Sequence, residues 1–210
     1  LTGTALIVMD LQNDFCIGPA VASRYAGRQS LVDMAVMGTA RALDVARTLG
    51  VEVIFVRFHG DIEYQGLSWR DRDLNLGKRP KCRAGTWGAE FHGVSPVPGE
   101  RVFTKQARFD AFLTDGFEEH LIRGGVGHLV FAGLYTDVCV DSTARTAFQQ
   151  GFHVTVLTDC TTSLHLPDDT IRRFMHTVYG ARLRILDDPE TWSPPGRRED
   201  WPTRSRTAAP

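Results

Sequence analysis

Six short apolar runs, separated by stretches of helical periodicity, constrain this chain more than any other feature. The runs are ALIVMD (5–10), VEVIFVRF (51–58), ERVFTK (100–105), HLVFAGL (128–134), HVTVLTD (153–159) and ARLRIL (181–186). Between them, Leu31, Ala35, Ala42, Val45, Ala46 and Leu49 recur at helical spacing over 29–49, with Gly50 as a stop. Further helices are expected over 115–123, from Asp137 to about Gln150, and over 168–179. Strands alternating with helices predict βαβ units: a single-domain three-layer α/β/α fold around a six-stranded parallel sheet. The domain is assigned to 1–186. The Pro- and Arg-rich tail, 187–210, cannot build a core and is expected to lie loose or over a neighbouring subunit. Residues 60–99 break the alternation. This stretch is polar and Arg-rich, yet carries Trp69 and Trp87, which points to a functional connection.

The charge balance excludes several function classes. Lys+Arg total 24 against Asp+Glu 25, so there is no general pull toward nucleic acid or an anionic membrane. No apolar run approaches the ~18 residues needed to span a bilayer. The opening LTGTALIVMD has no basic region ahead of its apolar run and does not read as a signal peptide. Four scattered cysteines make neither a disulfide framework nor a zinc pair, so a soluble protein of a reducing compartment, the cytoplasm, is expected. Only Lys78, Lys81 and Lys105 are lysines; the other 21 basic residues are arginines.

In an open parallel sheet the ligand crevice lies beyond the carboxyl ends of the strands. Asp10 follows the first strand, Lys105 ends the third, and Cys139 lies just past the fourth. Asp10 and Cys139 face each other if the strand order reverses between the first and fourth strands. Thr136 or Asp137 is a natural N-cap, which would set Cys139 in a first helical turn, where free N–H groups favour a thiolate. A carboxylate can take the thiol's proton, and an ammonium can hold the resulting charge. Lysine is the exception in this chain, and it can relay a proton where arginine cannot. Each residue also has an ordinary structural use: a small core cysteine, a turn aspartate, a surface lysine.

MDLQNDF (9–15), Lys105 within VFTKQARFDAF, and GLYTDVCVDSTARTAFQQG (133–151) together resemble the cysteine hydrolase, or isochorismatase-like, superfamily. Its members include nicotinamidases, N-carbamoylsarcosine amidase, and ureidoacrylate and biuret hydrolases. The resemblance covers residues 4 to 186 and implies a Rossmann-like sheet and a catalytic triad of Asp10, Lys105 and Cys139. It also implies a cis peptide at Leu134–Tyr135, aiming the Tyr135 N–H beside the Cys139 N–H as an oxyanion hole. The implied activity is cleavage of a C–N bond in a small carboxamide or N-carbamoyl (ureido) compound, through a thioester. A homo-oligomer, dimer or tetramer, is expected.

Some residues depart from particular branches. Cys139 argues against isochorismate-type vinyl-ether chemistry, whose enzymes lack the cysteine. Arg57, Phe58 and His59 stand where metal-bearing nicotinamidases carry an acid and histidines, so neither metal nor another cofactor is expected. Phe15, Trp69, Trp87, Phe109 and Tyr135 are candidates to wall a small pocket, though each is equally at home in a core. Arg70, with Arg72, Arg83 and Arg108, could recognise a carboxylate. Two other readings are weighed: a catalytically inactive or non-amide member of the same fold, and a phospho-receiver-like binding module. The second has no use for Cys139.

Overall fold

The computed structural model describes residues 3–25 and 27–196. Among them, six strands form one parallel sheet: β1 (Gly3–Met9), β2 (Glu52–His59), β3 (Arg101–Gln106), β4 (Val126–Gly133), β5 (His153–Leu157) and β6 (Arg182–Arg184). Their spatial order is β3-β2-β1-β4-β5-β6, and every neighbouring pair is parallel. The order reverses between β1 and β4, so the crevice opens beyond their carboxyl ends. The expected three-layer α/β architecture is the one observed.

The composition of β1 follows from its position. Ala5, Ile7 and Met9 pack on one face with Phe117, Leu121 and Met175. Leu6 and Val8 pack on the other with Val32, Ala35 and Ala46. With both faces covered, the strand reads as a continuous apolar run rather than an alternating one. Each fully buried Leu, Ile or Val there stabilises the fold by about 1.5–3 kcal/mol.

Two short helices, α1 (Asn13–Cys16) and α2 (Pro19–Arg24), follow β1 and precede the long α3 (Gln29–Leu49). The first two are too short to leave a periodic signature. α3 stops at Gly50, whose left-handed backbone lets its N–H reach the carbonyls of Ala46 and Arg47. The connection 60–99 is not wholly irregular: it holds α4 (Leu67–Asn75) and two 3-10 turns. α4 leaves Leu67 and Leu74 exposed, so its leucines mark no buried stripe. Next come α5 (Phe117–Arg123), α6 (Asp141–Gln149) and α7 (Asp168–Tyr179). The helix expected from Asp137 instead starts as a π-helical turn, Thr136–Val140, that leads into α6.

Residues 187–196, expected to lie loose or on a neighbouring subunit, fold back over their own sheet. Thr191 is fully buried, Trp192 packs against the α3 side of the core, and Arg182 donates to the carbonyls of Glu190 and Ser193. The remainder of that tail, 197–210, lies outside the described residues. No helix among the described residues is long and apolar enough to cross a membrane.

Candidate active site

The carboxyl ends of β1, β3 and β4 bring Asp10, Lys105 and Cys139 to one point. Asp10 has a left-handed backbone (φ 48°), a conformation aspartate tolerates better than most side chains. Its turn is held by its own N–H, which donates to Val56 O at 2.8 Å. The neighbouring Gln12 side chain donates to the carbonyls of Phe58 and Ala89 and accepts from the Phe58 N–H. On the other side, Gly133 (φ 103°) lies so close to β1 that a Cβ would sit 2.1 Å from Met9 O. Only glycine lets the end of β4 approach this closely, and the Leu134 N–H then bonds Met9 O at 2.9 Å.

Lys105 Nζ donates to Asp10 Oδ2 at 2.6 Å and to the Phe109 carbonyl at 3.0 Å, and lies over the Phe58 ring. Both members of the ion pair are buried. Asp10 Oδ1 is buried too and has no conventional hydrogen-bond partner. The Cys139 thiol faces the pair and interacts with both side chains.

Burial dominates the electrostatics. It raises the Asp10 pKa despite the adjacent Lys105 ammonium. Burial opposes the charge on Lys105 most strongly, but Asp10 and Cys139 together outweigh it and raise the Lys105 pKa. Burial, then Asp10, push the Cys139 thiol well above its ordinary value, and Lys105 only partly offsets them. The lowered pKa expected of a first helical turn is not found: burial and Asp10 keep the resting cysteine a thiol, beside a carboxylate able to accept its proton.

The Leu134–Tyr135 peptide is cis. The Thr136 N–H bonds Thr162 O, while those of Val138 and Val140 share Tyr135 O. Among the described residues the Tyr135 N–H donates to no backbone carbonyl. Asp137 does not cap the helix. Its carboxylate accepts the N–H groups of Leu164, His165 and Leu166 at 2.7–2.8 Å, tying the cysteine's turn to an opposing loop.

A cavity of about 620 Å³ opens above Cys139. Phe15, Trp69, Phe109 and Tyr135 line it, as the sequence suggested, together with Phe58 and Leu164. Trp87 and Arg70 do not. In the 3-10 turn Trp87–Ala89 it is Gly88 and Ala89 that are buried, and Gly88 rests on the Asp14 carboxylate, which turns the Trp87 side chain to solvent. On α4, Trp69 faces the cavity, and Arg72 and Asp73, three and four residues on, share its face. Arg70 points away and donates to Ile62 O. Arg72 stacks on Trp69 at 4.2 Å and pairs with Asp73 at 2.6 Å. Arg83 and Arg108 are absent from the lining, whereas Lys78, Arg79 and Lys81 are present. The one sequence signal for Lys78 and Lys81 was the scarcity of lysine. Among the described residues no group of three or more His, Cys, Asp or Glu side chains is placed to hold a metal ion.

Comparison with known proteins adds an independent line. The isochorismatase domain model matches residues 4–177. The ureidoacrylate amidohydrolase RutB of Agrobacterium fabrum is 28% identical over 192 residues, covering 85% of this chain and 82% of that protein. The ureidoacrylate amidohydrolase RutB of Pantoea ananatis is 31% identical over 182 residues, covering 75% and 68%. N-carbamoylsarcosine amidase from Thermoplasma acidophilum superposes with a TM-score of 0.74 at 23% identity, over 90% of this chain and 99% of that one, a likeness of fold.

Proposed function

This chain belongs to the isochorismatase family, and we propose that within it the protein is a cysteine-dependent amidohydrolase of small carboxamides or N-carbamoyl (ureido) compounds. The observation that carries the reading is the meeting of the Cys139 thiol with a buried Asp10–Lys105 ion pair, the thiol lying against the carboxylate. A solvent-shielded carboxylate set beside a nucleophile is a general base in waiting.

In this reading Asp10 takes the thiol proton as Cys139 Sγ attacks the carbonyl carbon. Tyr135 and Cys139 N–H groups receive the developing oxyanion, and Lys105 stabilises the charge that accumulates around Asp10 and the sulfur. When the tetrahedral adduct collapses, the C–N bond breaks and Asp10 returns the proton to the departing nitrogen. A water, deprotonated by Asp10, then attacks the thioester; the C–S bond breaks, the thiol is re-formed, and the acid product leaves. No step calls for a metal or another cofactor. Four free, buried cysteines support a reducing compartment, taken as the cytoplasm, and the exposed Leu67, Leu74 and Ile62 support a homo-oligomer.

The test is ammonia release across carboxamides, ureido acids and nicotinamide, with rapid acid quenching and intact-mass measurement. Turnover with an acyl adduct on Cys139 is expected. Absence of both across the panel rejects the reading.

A further inference from the structure

The cavity's charges do not mirror those of the chain. Across the whole sequence 24 basic residues meet 25 acidic ones. The cavity, however, is lined by four cationic side chains, from Arg72, Lys78, Arg79 and Lys81, against three carboxylates, Asp10, Asp14 and Asp73, and Lys105 lies buried behind Asp10. The carboxylates are already engaged. Asp10 is held by Lys105, Asp73 by Arg72, and Asp14 accepts the Cys82 N–H at 2.6 Å. With Asp10 matched to Lys105 and the other two acids each to a lining cation, two positive charges remain in excess. Two of the chain's three lysines line this cavity and the third, Lys105, is buried behind it on Asp10, although arginine supplies the other 21 basic residues.

The cationic segment 78–81 is fixed in place rather than trailing in solvent. The Lys78 N–H bonds Asp73 O at 2.8 Å, and the Gly60 N–H bonds Lys81 O at 3.1 Å. A Cβ at Gly60 would come within 2.5 Å of that same carbonyl, so glycine is what lets the segment press against the end of β2. The nucleophile and the aromatic walls of Trp69 and Phe109 belong to the same cavity.

We infer that the substrate enters as an anion, its carboxylate seated by the Lys78–Lys81 segment while its amide or ureido carbonyl meets Cys139. Within the amidohydrolase reading, on which this rests, the preferred class is then ureido acids or half-amides of dicarboxylic acids, in place of neutral carboxamides. A guanidinium engages a carboxylate through two parallel hydrogen bonds, and flanking ammonium groups add point charge.

The test separates charge preference from turnover. Equilibrium binding of 3-ureidopropanoate and its neutral primary amide, 3-ureidopropanamide, is measured by calorimetry on Cys139→Ala protein, which cannot turn either over. The anion should bind about tenfold more tightly or better. The double variant Lys78→Gln/Arg79→Gln, both at exposed positions, should erase most of that ratio. Equal affinity, tighter binding of the neutral amide, no binding of either compound at millimolar concentration, or a preference untouched by the double variant each overturns the inference. Ammonia release by the unmodified enzyme is scored separately. Turnover of neutral amides without charge preference would reject the anion site and leave the hydrolase intact.

Discussion

At the amino-terminal side of the sheet, His128 on β4 sits between two threonines, with Nδ1 3.1 Å from Thr4 Oγ1 and Nε2 2.8 Å from Thr155 Oγ1. At the opposite end, the same two central strands lead into Asp10 and Cys139, with Lys105 reaching across from β3. His128, Thr155, Asp10, Lys105 and Cys139 are all buried, and Thr4 is half-buried. A neutral imidazole has one donor and one acceptor nitrogen, and each has its hydroxyl, so the His128 group is complete. The Asp10 group is different: its carboxylate holds Lys105 through Oδ2 and also lies against the Cys139 thiol, a group that can give up its proton. Burial therefore does not by itself mark a functional site; burial with a carboxylate set against a nucleophile does.

The sharpest way to break this contrast is to remove the nucleophile. Cys139→Ala should lower turnover by about three decades or more, since the covalent route is lost, while thermal stability stays close to that of the parent. Residual activity within tenfold of the parent would reject the assignment. Asp10→Asn and Lys105→Ala come next. Each should be nearly inactive, and combining either with Cys139→Ala should add little, because residues acting as one unit are non-additive. Losses that sum on a logarithmic scale would assign them to separate steps.

How far this contrast was legible in the sequence differs between its two halves. Strand-end placement predicted that Asp10, Lys105 and Cys139 converge, because a parallel sheet with helices on both faces leaves few positions for the ends of β1, β3 and β4. The electrostatic state was not legible. Helix-turn reasoning favoured a thiolate, but the cysteine lies in a π-helical turn where burial and Asp10 outweigh Lys105. Within the 60–99 connection, Trp69 was identified and Trp87 misplaced. A short helix and a 3-10 turn orient these side chains, and neither leaves a periodic apolar pattern. Arg72 was distinguishable from Arg70 only once the face of α4 was known. Residues 187–196 read as a tail because one aromatic, Trp192, and one buried threonine carry their packing.

The correction about the thiol changes what chemical labelling should report. Cys16, Cys82 and Cys160 are fully buried and their thiols are raised as well, Cys16 to about 12. Access, rather than acidity, then separates them, and Cys139 is the cysteine that lines the cavity. Iodoacetamide should modify Cys139 first, at a rate that keeps climbing above pH 9, since only the thiolate reacts. Peptide mapping over a time course distinguishes this from equal labelling of all four, which would count against an accessible nucleophile.

The general base makes its own smaller prediction. Asp10 acts only when ionised, so activity falls as pH drops through its pKa, and burial sets that pKa above the ordinary carboxylate value of 3.8. The acid limb of kcat/KM should lie correspondingly higher than a solvent-exposed aspartate would give. In Lys105→Ala the residual activity should show a limb moved further up, because the ammonium that favours the carboxylate is gone. An unmoved limb would assign it to another group.

The last prediction tests the completed end of the sheet, where no catalytic effect is expected. Burial holds the His128 pKa down to about 4, against an ordinary 6.5, with Arg182 and His153 acting in the same direction. Between those values the unfolded chain binds a proton that the folded protein refuses, so stability falls as pH drops from 6.5 toward 4. Below about 4 both states are protonated and the loss levels off. A shift of this size corresponds to roughly 3 kcal/mol over the window. His128→Gln cannot titrate, so although it is less stable near pH 7, its denaturation midpoint should change less across the same interval. His153, whose pKa is also lowered, is present in both proteins, so its own titration largely cancels in the difference. The variant's kcat/KM per folded molecule should match the parent's, because His128 touches neither the cavity nor the triad. Identical pH profiles of stability for the two proteins would show that His128 is charged when folded, and would remove the neutral member from the comparison.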